Sequence, residues 1–151
     1  MTVRLSTQLR NNLAGTTGFA ATFANGVIDI YSGSQPATAD AAVTGTLLGT
    51  VTLNSGAFTS GVATNGLTFG TAANGAVAKS GVWSFNGIAA GTAGWFRLRG
   101  NAADNGSLST TLSRTDGSIA TSGADLNLSN ISVAVGAPNT VDTFTFTFPA
   151  Q

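Results

Sequence analysis

The chain has 151 residues, of which only 8% are charged, against about a quarter in ordinary globular proteins. Its six Lys and Arg balance its six Asp and Glu, so it lacks the basic excess that binding to nucleic acid requires. It contains no Cys and no His, which excludes disulfides, thiolate or imidazole metal sites, and the commonest catalytic base.

All six acids are aspartates, there is a single Lys (Lys79), and Gly, Ala, Thr, Ser and Asn dominate. Such a composition favours strands and turns over helices. The length suits one domain with a sizeable core, spanning residues 1–151. No apolar run approaches membrane-spanning length. Ser6, Thr7 and Gln8 stand where a signal peptide needs its apolar centre. The expectation is a chain made in a cytoplasm, with no membrane partner.

In chain order, residues 1–15 form a helical arm. Leu5, Leu9 and Leu13 recur every four residues on one helix face, with Ser6 as N-cap and Gly15 as stop. Such a short helix must dock, either on its own domain or on a neighbour. Arg4 and Arg10 flank that leucine stripe, so all five residues are candidates for an interface. A β domain then occupies residues 26–149. Residues 26–31 form its first strand, opened by Asn25-Gly26, with Ile28 and Ile30 inward and Val27, Asp29 and Tyr31 opposite. Residues 34–46 form a surface connection with one helical turn near Ala39. Residues 47–53 are the next strand. Asn65-Gly66 and Asn74-Gly75 are tight-turn pairs amid weak strands at 57–58 and 67–69.

Residues 81–85 and 94–99 read as a hairpin. Trp83, Phe85, Phe96 and Leu98 point inward, and Trp95, Arg97 and Arg99 outward. Trp and Arg are enriched at interface hot spots, so these three join the interface candidates. A strand over 108–112 and a turn at Asp116-Gly117 follow. Leu126 and Leu128 alternate, and a bulge or corner near Ser129-Asn130 resets the phase before Ile131, Val133 and Val135. Residues 140–149, T-V-D-T-F-T-F-T-F-P, close the chain with Phe144, Phe146 and Phe148 on one face and threonines on the other. Three rings in a row require a covering apolar layer. The pattern therefore predicts an all-β fold, a jelly-roll-like antiparallel β-sandwich of about eight short strands with a short N-terminal helix.

Catalytic chemistry has little to stand on. Lys79 and Ser80 are adjacent, which on a strand sends them to opposite faces. The aspartates show neither a paired-carboxylate context nor calcium-loop spacing, and no phosphate-binding loop is present. No catalytic residue, cofactor or metal is expected. Trp83, Trp95 and Tyr31 are candidate sugar-stacking platforms under an alternative reading, a carbohydrate-binding or fibre-type module of a virion surface.

Several segments together resemble a family of small structural proteins of tailed bacteriophages. These are V-R-L-S-T-Q-L-R-N-N-L-A near the start, V-I-D-I-Y-S-G-S-Q-P-A-T-A-D-A-A-V-T-G-T-L-L at 27–48, S-G-A-D-L-N-L-S-N at 122–130, and the closing V-D-T-F-T-F-T-F-P. They look like capsid decoration, or cement, proteins. The resemblance runs end to end and is weakest over 55–106. It implies a jelly-roll-like sandwich on the outside of an assembled head, bridging neighbouring major capsid proteins. Self-association as a dimer or trimer, and no enzymatic activity, are the accompanying expectations.

Overall fold

The computed structural model describes residues 3–150. Eleven strands and two short helices follow one another as β1 (Arg4–Leu5), α1 (Thr7–Ala14), α2 (Phe19–Thr22), β2 (Val27–Ser32), β3 (Leu47–Leu53), β4 (Thr68–Phe69), β5 (Ala76–Ser80), β6 (Trp83–Asn86), β7 (Gly91–Arg99), β8 (Arg114–Ala120), β9 (Leu126–Leu128), β10 (Ser132–Val133) and β11 (Pro138–Thr147). The all-β expectation holds. The strands pair in the order β8-β7-β2-β3-β6-β11, and β9 bridges β11 back to β8, so the sheet closes into a barrel. Short strands lie outside the ring: β1 on β8, β10 on β7, and β5 with β4 on β11. Closure lets the sheet cover its own apolar face and leaves no long free edge.

The last strand organises the interior. Phe144 makes ring contacts with Phe69, Trp83 and Phe96, at centroid distances of 6.4, 5.5 and 5.8 Å. Phe146 stacks on Phe19 of α2 at 4.0 Å. Phe148, the third ring of the stripe, sits at the rim and is largely exposed. Asn139 and Val141 are buried on odd positions, Phe144 and Phe146 on even ones. A bulge between Val141 and Thr143 makes the switch, where two β11 steps meet one step of β9. From β2, β3, β6 and β7, Ile28, Ile30, Val51, Trp83, Phe85, Phe96 and Leu98 fill the rest of the barrel. Each such buried side chain contributes about 1.5–3 kcal/mol.

Close packing fixes glycine where rings cross strands. A Cβ on Gly49 would stand 2.2 Å from the Phe85 ring, and one on Gly117 2.7 Å from that of Phe96. Asn74-Gly75 forms the tight turn expected of it. Both residues have positive φ, 52° and 74°, and Ala73 and Ala76 exchange both backbone hydrogen bonds.

Several sequence expectations are corrected. The N-terminal segment divides at Ser6: Arg4 and Leu5 pair with β8, and the helix begins at Thr7. Ser6 still caps that helix, accepting the Leu9 N–H at 3.2 Å, and Gly15 still ends it. Strands β6 and β7 are not a hairpin, because β6 lies between β3 and β11 while β7 lies between β2 and β8. Residues 108–112 contain no strand. Asp116-Gly117 lies inside β8, where Asp116 faces Arg97 and Gly117 makes room for Phe96. Near Ser129-Asn130 the chain turns a corner, leaving β9 beside β11 and taking β10 to β7.

Candidate functional site

The face of β2, β7 and β8 turned away from the barrel core carries Asp29, Tyr31, Trp95, Arg97, Arg99 and Asp116. Residues 34–46 and 101–113 fold back over it, and polar contacts fasten them there. Arg97 donates from Nε and Nη2 to the two carboxylate oxygens of Asp116, at 2.8 and 2.7 Å. Its remaining Nη1 reaches the Ala41 carbonyl at 3.0 Å. Arg114 binds Asp104 in the same two-pronged way, at 2.7 and 2.6 Å, and also donates to the carbonyls of Ser107 and Asp40. Arg99 pairs with Asp29 at 2.7 Å, and Thr50 donates to the other oxygen of that carboxylate. The guanidinium fork suits this task, since its spare donors satisfy loop carbonyls that burial removes from water.

The electrostatics follow from that burial. Desolvation is the largest influence on Asp104 and pushes its carboxyl up. The hydrogen bonds from Arg114 and the Gly106 N–H, with the Arg114 charge, outweigh it, and the net pKa falls below the ordinary carboxylate value. At Asp116 burial prevails over Arg97, and the pKa is raised. Burial, aided by the Asp29 charge, pushes the Tyr31 phenol to about 12.

The expectation that Trp95, Arg97 and Arg99 face outward is therefore overturned for this chain. Trp95 and Arg97 are each 1% exposed. Trp95 stacks on Tyr31 at 4.6 Å, with the Arg97 guanidinium 5.6 Å from its ring. Arg99 is mostly covered and sits 5.5 Å from the Phe58 ring. The sugar-platform reading loses its rings as well. Trp83 is fully buried, with its Nε1 donating to the Ser80 carbonyl at 3.0 Å, and Tyr31 is 6% exposed.

The N-terminal candidates are likewise engaged within the chain. Leu9 is fully buried in the core, with Leu5 and Leu13 packed against it. Asp40 accepts from the Thr7 N–H at 2.9 Å and from its hydroxyl at 2.7 Å, which holds the 34–46 connection to the start of α1. Buried Ser6 also accepts from the Arg114 N–H and donates to the Leu112 carbonyl. Arg4 donates to the Pro36 carbonyl, and Arg10 stays exposed beside Thr7. Lys79 donates to the Gly81 carbonyl at 3.2 Å. Among the described residues, no three Asp, Glu, His or Cys side chains gather closely enough to hold a metal ion.

The outside carries few charges, Arg10 and Asp142 among them, and includes exposed apolar side chains. Ile88 and Val135 are 61% and 70% exposed. Their loops meet at one end of the barrel, where Gly136 donates to the Gly87 carbonyl at 2.7 Å and Gly87 to the Ala137 carbonyl at 3.0 Å. Alternation grouped Val135 with Ile131 and Val133, but β10 ends at Val133 and Val135 lies in the turn beyond it; Ile88 lies in the loop after β6. Asp104 and Arg114, missed as partners, had one signal: in so sparsely charged a chain, each aspartate is a candidate mate for an arginine. No family model, no curated protein and no solved structure matches the chain.

Proposed function

We propose that this chain is a non-enzymatic decoration, or cement, protein of a bacteriophage head. It binds the outside of the assembled shell and bridges neighbouring major capsid proteins, with self-association as a dimer or trimer. The jelly-roll-like description of the barrel belongs to this same reading. The observation that carries it is the inward disposition of charge. Three of the six cations, Arg97, Arg99 and Arg114, form ion pairs with Asp116, Asp29 and Asp104. The exterior is left with few charges and with exposed apolar residues such as Ile88 and Val135, a surface suited to lasting contact with a neighbour.

The mechanism is thermodynamic. A protein that binds only the assembled, expanded shell stabilises that state by mass action. Contacts to several capsid subunits at once add through effective concentration. The test is to add purified protein to undecorated heads and follow their thermal disruption. Saturable binding with a higher disruption temperature supports the proposal. Absence of binding, or binding equally strong to unassembled capsid protein, contradicts it.

A further inference from the structure

The barrel has a seam. Strand β9 spans only Leu126–Leu128, pairing with Ile119 and Ala120 of β8 and with Val141, Thr143 and Phe144 of β11. Beyond it, β8 is bordered by β1 at Thr115 and Asp116, while β11 runs on through Thr147. Among the described residues, β1 and β11 do not pair. Beside this seam lies a slot of about 330 Å³, lined by Val3, Thr115, Phe96, Phe144 and Phe146 among others.

Two features mark this slot as built to receive something. The first is an open strand edge. Phe148 donates its N–H to Gly75 in line with the β5 register, so the ladder to β5 uses the even positions of β11. Backbone groups of an antiparallel strand alternate in direction. The N–H and C=O of Thr145 and Thr147 therefore point away from β5, into the slot that both residues line. The second is a pair of buried polar atoms without partners among the described residues, Thr115 Oγ1 and Asp125 Oδ1. Thr115 is 1% exposed. The other Asp125 oxygen is held by the Ser118 N–H and hydroxyl at 2.9 and 2.8 Å, which fixes the carboxylate in place. Among the described residues, Asp125 is the only charged one of the lining.

We infer that the slot receives an extended peptide segment of a partner protein, laid along Thr145–Thr147 as an added strand, with a lysine or arginine side chain directed to Asp125. The open edge selects a peptide backbone over other ligands. The lone carboxylate selects a cationic donor. The phenylalanines of the lining take the small apolar residues beside it. This assignment stands on the seam itself and does not depend on the virion reading.

The test is titration of isotope-labelled protein, followed by amide NMR, with acetyl-Thr-Val-Lys-Val-Thr-amide, its Asp-for-Lys counterpart, and maltotriose. The lysine peptide shifts the Thr145 and Thr147 amides, and the aspartate peptide binds at least about tenfold more weakly. Asp125→Asn removes that preference. Thr147→Pro deletes an N–H that the β5 ladder does not use, so it leaves the unfolding temperature near wild type while abolishing the shifts. Silence with the lysine peptide overturns the inference, as does equal binding of both peptides. A response to maltotriose alone makes the slot a polyol site instead. Broadening of the same amides with protein concentration alone makes it a contact between copies of this chain, and either result also overturns the inference.

Discussion

Arg97 and Asp116 face each other across the β7–β8 ladder, joined by two hydrogen bonds, with neither side chain more than 1% exposed. Removing one partner strands a charge that burial has stripped of water, at a cost of about 3–5 kcal/mol. Asp116→Ala is therefore expected to lower the urea midpoint severely. The double variant Arg97→Met, Asp116→Leu is expected to recover a large part of that loss, though not the bond to the Ala41 carbonyl. A double-mutant cycle in urea checks it.

Asp104 makes a prediction about acid. Its folded pKa is lowered, so the stability it contributes is present above the unfolded carboxylate value. That stability is lost as pH falls through the folded one, below about pH 4. Asp104→Asn should cost about 3 kcal/mol at neutral pH. The gap between wild type and variant should narrow as the wild-type carboxyl protonates, which urea unfolding at a series of pH values measures.

Tyr31 makes the complementary prediction about alkali. Its phenol titrates at about 12 in the folded chain, while the unfolded phenol titrates near 10. Its contribution is intact below about pH 10 and is lost as pH rises through the folded value, by about 3 kcal/mol in all. It is the only tyrosine, so phenolate absorbance reports it without ambiguity. Tyr31→Phe should flatten the alkaline loss.

Gly49 tests the packing of the barrel. Gly49→Ala forces a Cβ to within 2.2 Å of the Phe85 ring unless something moves. A destabilisation of about 2–3 kcal/mol is expected, partly relieved by adding Phe85→Leu. Thermal unfolding of the two variants decides it.

Legibility in the sequence followed the periodicity. The inward Phe144, Phe146, Ile28 and Ile30, the Asn74-Gly75 turn and the Ser6 cap all carry local chemistry, and each lies where that chemistry places it, whereas Phe148, of the same parity as Phe144 and Phe146, is exposed. Alternation names two faces but does not say what covers the second. Residues 34–46 look like a loop from their composition, 108–112 read as a strand that does not form, and nothing in 34–46 or 101–113 announces that Asp40 will hold α1 or that Asp104 will lock Arg114. That is why Trp95 and Arg97 read as surface and proved to be interior. The closing of the barrel was hidden for a related reason. It rests on the three-residue strand β9, which joins β8 in parallel across a gap that no hairpin signal marks.

The most direct measurement of the central claim is the number of copies of this protein per purified virion, relative to the major capsid protein, by quantitative mass spectrometry. A decoration protein that binds throughout the shell should be present in hundreds of copies, in simple ratio to the capsid subunit. A handful of copies per particle, or none, would contradict the account.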